Sequence, residues 1–531
     1  MTERTPPTPH SALRTAHSAL RIGITVFLIN AFFATTYLGN PMSKSILDLT
    51  VSLVDRRAFD IDPYAGNSTD VARHNGHFYS GMPPGLSLVC VPYYLAAKTW
   101  LWLVATPERE RATDERFLEA KGAAWRPSEK HLTIVLLNLF VCVFGCSVLA
   151  GAMAALFHRA LANLYPDLHE LRRLATTWLF CFDTLWFIYS PGVYHRILST
   201  FLCFAAFLLV VRNQGLNSSS QERPRQPTRW HGLLVGLALG LAVAATYEMA
   251  IVAAILIIYT LAQWGKRWSW GWTLMGLAVF VVPLAAYHTA CFGAPWATPY
   301  AARIQGSVLP PVFRGEVNPS AASVRRAAEF LVGSRYGFFF YSPLLLLALP
   351  ALARLWPNPA SSYSPPQLTT QHSKLKTPRG AIAVSFAIFI ALLTFHYATG
   401  YDGLPGEFGF RMMKPAIPFL MLLVPLSYRW SYRCVVPTLA ALSAVILAKG
   451  VMFGVHAGRP FFWSDYLNYF SRYGFSNYTL ANLKDNLWPG LSPWTISAIH
   501  LAALALIALV LRLLVWRPNV KANRVSPASD L

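Results

Sequence analysis

The feature that most constrains this chain is repetition of apolar runs close to the ~20 residues that cross a bilayer, roughly ten or more of them. The first is LRIGITVFLINAFFATTYL, residues 20–38. Later runs lie near 131–155, 174–190, 196–211, 231–247, 249–263, 270–288, 338–353, 381–397, 415–428, 434–452 and 494–511. In lipid every backbone polar group must be satisfied within the segment, so such runs fold as helices. The expected fold is an all-α polytopic membrane protein, a bundle of about 11–13 transmembrane helices. Composition agrees: of 531 residues, 54% are hydrophobic and only 13% charged, about half the charge usual in a soluble domain.

The formal charge of +21 invites a nucleic-acid reading, which the positions of the charges reject. Lys and Arg concentrate in short connections between apolar runs, the positive-inside pattern. Residues 83–105 are ambiguous: they are long enough to span, yet hold Pro92, Lys98 and a set of interfacial aromatics. Charge bias across the later connections is best when this segment lies on the membrane and both termini face the cytoplasm. The run from Leu20 then reads as a retained signal-anchor. None of the seven cysteines forms a CxxC pattern or a disulfide framework, and Cys291 alone reads as loop-borne.

That topology puts the polar motifs on one external side. They are Asp60–Gly85, SPGVYHR ending at Arg196, TYE ending at Glu248, FGAPWATPY, GSRYGF around Arg335, and YDGLPGEFGFR ending at Arg411. Convergence of polar groups at one end of an apolar bundle is the pattern of a membrane-embedded site. Ahead of the first motif, KSILDLTVSLVDRR places Lys44, Asp48, Ser52 and Asp55 on one helical face and apolar residues on another, an interfacial amphipathic helix. Residues 1–19 and 517–531 read as cytoplasmic tails, 39–130 as an external loop within a module over 20–430, and 431–516 as C-terminal helices with an aromatic external loop at 453–493.

Three of these motifs carry a family resemblance. GHFYSGMPPG, YDGLPGEFGFR followed by KPAIPFL, and GSRYGFFFYSPLLLL resemble short elements of the GT-C glycosyltransferases. Within that superfamily the chain is most similar to bacterial members related to protein O-mannosyltransferases and lipid A aminoarabinose transferases. The resemblance covers most of residues 20–430. It implies an integral plasma-membrane (inner-membrane) enzyme that moves a sugar from a polyprenyl phosphate to an envelope glycan, lipid or protein on the periplasmic side. Many members place an acid directly after the first span, whereas here that place reads LGNPMSKS, with no carboxylate before Asp48.

Such a transfer needs a carboxylate to take the acceptor proton and cations to hold the leaving phosphate. Asp62 and Asp70 are the first candidates for the base, against a bland reading as turn-capping loop acids. Asp48 is a third candidate, and beside Lys44 it also reads as a plain i,i+4 ion pair. Arg335 and Arg411 are the phosphate candidates, with snorkelling interfacial arginine as the alternative. Lys44, His77, Tyr79 and Glu407 are expected to bind substrate, and Glu248 to contact the sugar with His195 nearby. Asp183, mid-run, reads as a neutral carboxyl bonded within the bundle. Asp70, His74 and His77 have a spacing that a divalent metal would accept, but no cofactor is expected. Expected partners are the lipid-linked sugar and membrane lipids, not nucleic acid. The rival readings are a flippase for lipid-linked sugars and a GT-C-like scaffold without catalysis.

Overall fold

The computed structural model describes residues 9–35, 40–104, 131–212, 228–264, 269–302, 322–334, 337–355, 379–398, 408–428, 433–454, 463–488 and 490–516. Helices dominate. In chain order they are α1 (Pro9–Phe32), α2 (Pro41–Asp55), α3 (Gly85–Val104), α4 (His131–Phe140), α5 (Ser147–Leu164), α6 (Glu170–Phe182), α7 (Leu185–Tyr189), α8 (His195–Arg212), α9 (Arg229–Ala245) and α10 (Met249–Trp264). There follow α11 (Ser269–Phe292), α12 (Ala322–Val332), α13 (Phe338–Tyr341), α14 (Arg379–Ala398), α15 (Ile417–Met421), α16 (Val435–Phe453), α17 (Trp463–Tyr473), α18 (Tyr478–Leu487) and α19 (Pro493–Val510).

Among the described residues seven helices are long and apolar enough to cross a membrane: Thr15–Phe32, Gly85–Leu103, Thr133–Leu164, Trp270–Phe292, Arg379–Ala398, Val435–Phe453 and Pro493–Val515. Four shorter apolar helices join them, His195–Val211, Arg229–Ala245, Met249–Trp264 and Pro343–Arg354. The architecture is that of a helical polytopic membrane protein. Two other apolar stretches are helical but broken: α6–α7 at Asp183-Thr184, and 411–427, which alternates 3₁₀ turns with the short α15.

Glycine seams set the closest helix approaches. Where α9 crosses α11, a Cβ on Gly236 would lie 2.0 Å from the Thr273 carbonyl, and one on Gly276 would lie 2.4 Å from that of Leu233. Without side chains at these points the backbones meet directly, the packing mode of small-residue helix pairs in membranes.

The all-α expectation needs one correction. Residues 71–80 form a two-stranded antiparallel hairpin, β1 (Val71–His74) and β2 (His77–Ser80), in which Val71 faces Ser80 and His74 faces His77. Asn75 and Gly76 make the turn with φ of 48° and 86°, the positive pair that a type I′ turn requires.

Two further expectations change, those for α2 and for Cys291. Helix α2, capped by Asn40 accepting the Met42 N–H with Pro41 opening the helix, does not expose its polar face. Every residue from Met42 to Ser52 is buried, Lys44 and Asp48 included. Helix α3 has the length and composition of a span, yet it packs along protein on two sides. It runs parallel to α2, through Thr50 Oγ1 donating to the Ser87 carbonyl and Tyr94 OH donating to Asp55. It also packs against the 131–146 stretch, where the Tyr93 hydroxyl donates to the Phe144 carbonyl at 3.4 Å. Cys291 lies inside α11 and is buried rather than on a loop.

The glycine seam gives a test. Gly236→Val should destabilise the protein by about 1–3 kcal/mol through overpacking, read as a lower thermal midpoint in detergent. Gly271→Val on α11, where nothing lies within 4 Å of a Cβ, should leave the midpoint unchanged.

Candidate functional site

The polar motifs meet at one end of the bundle, and the contacts can be followed from element to element. Ser43 in the first turn of α2 donates to the Val193 carbonyl at 2.8 Å. Gly85, opening α3, packs on the backbone of Ala244 and Ala245, the last turn of α9, so closely that a Cβ would lie 2.4 Å from Ala244. The hairpin joins through Arg73 N–H, which donates to the Ala302 carbonyl at 2.9 Å. Tyr300 in turn stacks edge-on against Tyr247, with ring centroids 5.4 Å apart.

At the centre, Arg196 at the start of α8 holds Glu248 by two bonds, Nε to Oε1 at 2.5 Å and Nη2 to Oε2 at 2.9 Å. Both side chains are buried. His396 from α14 brings Nε2 to 3.8 Å from the same carboxylate. Arg411 is buried and close enough to Arg196 to repel it. Lys414, 1% exposed, places its ammonium 3.8 Å from the centre of the Tyr189 ring and 4.8 Å from that of Tyr194, a two-ring cation–π contact. The Tyr189 hydroxyl donates to the Phe408 carbonyl at 2.6 Å, tying the 189–196 motif to the late motif. His288 lies one layer out: its Nδ1 faces the Pro295 carbonyl at 3.1 Å, which leaves Nε2 to accept the Tyr247 hydroxyl at 2.8 Å.

The candidate acids separate. Asp48 is wholly buried; its Oδ1 accepts from Asn67 Nδ2 at 2.9 Å, and Oδ2 has no hydrogen-bond partner among the described residues. Burial pushes its carboxyl up to about 8, with Asn67 and Lys44 only partly offsetting the loss of water. Asp62 is instead half-exposed and serves the hairpin, accepting the Phe78 N–H at 2.6 Å and contacting His77 Nδ1 at 2.7 Å. Partial burial raises its carboxyl, but the Phe78 N–H and the His77 ring outweigh that and hold it below the ordinary 3.8. The same bond raises exposed His77 above 6.5. Asp70 links α2 to the hairpin through its backbone, its N–H donating to Ser68 Oγ and its carbonyl accepting from Gly81.

The other expected residues divide likewise. Glu248 and Arg411 enter the buried cluster, and His195 is buried beside it. Tyr79 is half-buried against the Phe292 ring and His77 points outward. Arg335 and Glu407 lie outside the described residues. His74 packs on Phe292 while His77 turns to Asp62, and no group of three metal-ligating side chains occurs among the described residues. Asp183 is buried in the α6–α7 break with Oδ2 unbonded among the described residues, which corrects its expected bonding within the bundle. Arg196, His396 and Lys414 were absent from the expected site. The signal for them is the one that selected Glu248, an ionisable group within or beside an apolar run.

Two tests follow from this geometry. Arg196→Ala leaves Glu248 buried without its fork and should cost about 3–5 kcal/mol, whereas Arg196→Met with Glu248→Gln should recover most of the thermal midpoint. For the hairpin, the lowered Asp62 contributes fully above 3.8 and is lost as pH falls through its folded value. The raised His77 contributes fully below 6.5 and is lost as pH rises through its own. Hydrogen-exchange protection of residues 71–80 should therefore be greatest between these values, falling about two- to threefold on either side, and His77→Gln should remove the alkaline limb. No family model, curated protein or solved structure matches the chain.

Proposed function

We propose that the protein is a membrane glycosyltransferase that takes a sugar from a polyprenyl-phosphate donor and passes it to a hydroxyl of an envelope acceptor. The observation that carries this reading is the gathering of Arg196, Arg411 and Lys414 at the end of an apolar bundle that also holds the buried carboxyl of Asp48. Low-dielectric surroundings make each cation far more effective toward an anion than it is in water. Phosphate ester chemistry asks for that arrangement, because the bond that breaks leaves its electron pair on a phosphate oxygen.

In the proposed reaction the acceptor oxygen attacks the anomeric carbon from the face opposite the phosphate. The carbon–oxygen bond to phosphate breaks, the anomeric configuration inverts, and the acceptor proton passes to Asp48 Oδ2. Arg411 and Lys414 receive the phosphate. Arg196 is committed to Glu248 and orients that carboxylate, which is placed to hydrogen-bond sugar hydroxyls. Asp48 replaces Asp62 as the preferred base: a carboxylate with its pKa near 8 accepts protons better than one held below the usual range. The active face is assigned to the periplasmic side on charge bias alone.

A flippase is the second reading, favoured by the discontinuous segments 170–189 and 411–427 beside Lys414, since broken helices build binding sites in transporters. Proteoliposomes loaded with radiolabelled polyprenyl-phosphate hexose or pentose, with envelope extract as acceptor, separate the two. Transfer yields free polyprenyl phosphate and a labelled acceptor; movement of intact donor across the bilayer supports the flippase. Under the first reading Asp48→Asn lowers transfer by about 10²-fold or more. The wild-type rate rises with pH through about 8, and Asp62→Asn retains activity. An Asp48→Asn protein with full turnover ends the assignment of the base.

A further inference from the structure

The chain between α16 and α19 carries a surface of its own. In α17, WSDYLNYFSRY, the side chains fall into three stripes rather than two. Tyr466, Tyr469 and Tyr473, at helical spacing, face the protein. The Tyr466 hydroxyl donates to the Val445 carbonyl at 2.7 Å, and Tyr469 packs on Met452 and Phe453 at the end of α16. Ser464, Asn468, Ser471 and Arg472 are exposed on a second side. Leu467 and Phe470, 71% and 40% exposed, form a third stripe between those two. Phe470 stacks on Phe475, itself 52% exposed, with ring centroids 6.4 Å apart.

Helix α19 shows how deep that third stripe lies. The Phe475 N–H donates to Ser497 Oγ at 2.8 Å, and the Phe475 ring stands edge-on to His500 at 5.7 Å. His500 is seven residues past Pro493, where α19 begins, about 10 Å along the helix axis. Trp494, 84% exposed in the first turn of α19, marks the membrane boundary in the manner of an interfacial aromatic. Phe475 is therefore on the hydrocarbon side of that boundary, and Phe470 and Leu467 continue the same apolar surface along α17. Among the described residues only Ile496 and His500 of α19 are buried, so the surface that Phe475 joins is already turned to lipid. Arg472, on the polar side of α17, stands 3.4 Å from Asp485.

We propose that α17 is a membrane-surface helix whose apolar stripe, Leu467, Phe470 and Phe475, lies in the upper acyl region of a phospholipid leaflet while Asn468 and Ser471 face water. An amphipathic helix in the plane of a bilayer sinks its apolar side about 5–10 Å into the boundary between headgroups and acyl chains. The partner is the bilayer rather than a second copy of the chain, because the stripe runs without a break into the lipid-facing side of α19. The helix is also tied to the interior. Lys449 of α16 places its ammonium 2.7 Å from Asp465, and the next residue, Gly450, packs on Ile188 beside Tyr189. Seating α17 in the leaflet thus fixes the end of α16 that backs the 188–189 strip.

The test uses the full-length protein in nanodiscs of phosphatidylethanolamine and phosphatidylglycerol. Cys434, the one exposed cysteine among the described residues, is replaced by Ser, and a nitroxide is attached to Leu467→Cys, Phe470→Cys, Asn468→Cys or Ser471→Cys in turn. Power saturation with oxygen and with a water-soluble nickel chelate reads the surroundings of each label. Labels at 467 and 470 should collide preferentially with oxygen and those at 468 and 471 with the chelate, so that the preference reverses across one helix. A thermal midpoint close to that of the Cys434→Ser parent shows that each variant is folded. Chelate access at all four positions overturns the proposal, since it leaves α17 standing in water. Oxygen preference at all four overturns it too, by placing the whole helix within hydrocarbon. So does shielding of 467 and 470 from both reagents, with dipolar broadening between labels then identifying a second copy of the chain as the occupant.

Discussion

The rest of the polar architecture depends on the forked bond between Arg196 and Glu248. Taking a carboxylate and a guanidinium out of water is expensive, and the attraction between them repays it only in near-ideal geometry with further bonds around it. That geometry comes from helix ends rather than from a loop. Arg196 stands in the first turn of α8, and Glu248 stands in the short turn between α9 and α10. The Thr246 hydroxyl, donating to Ser199 Oγ, fixes the two helices against each other at that level. Around this pair the chain can place Arg411 and Lys414 in apolar surroundings, because its electrostatics are already organised.

Helix positions were legible in the sequence to within a few residues. The apolar runs near 196–211, 231–247 and 249–263 became α8, α9 and α10 because a membrane segment has no alternative to internal hydrogen bonding. What was misread is informative. Asn75-Gly76 between alternating residues is a strong hairpin signal, set in a stretch whose titratable groups point as readily to a loop. The polar stripe on α2 was assigned to water by amphipathicity. Amphipathicity reports only that two faces differ, and here the polar face meets Asn67 at Asp48 and Tyr94 at Asp55.

The site was legible by location and not by membership. Motif spacing named segments that the structure brings together, including those ending at Arg196, Glu248 and Arg411. The difference between Asp48 and Asp62 is not legible in the sequence, since it is one of burial, and burial is decided by partners outside the local stretch. Lys414 and His396 were hidden for the same reason. Lys414 looks like an ordinary helix-end cation, and His396 like a helix-end imidazole, until Tyr189 and Glu248 arrive beside them.

The contact of Gly85 with the last turn of α9 has a mechanical consequence. Helix α9 has 17 residues, about 26 Å at the usual rise, somewhat short for a hydrocarbon layer of ~30 Å. A segment of that length answers a thicker or thinner bilayer by changing its inclination or by deforming the lipid around it. With no side chain between them to yield, α3 must follow α9, and α2 rides on α3. Bilayer thickness thereby becomes an input to how the Asp48 carboxyl is registered against Arg196.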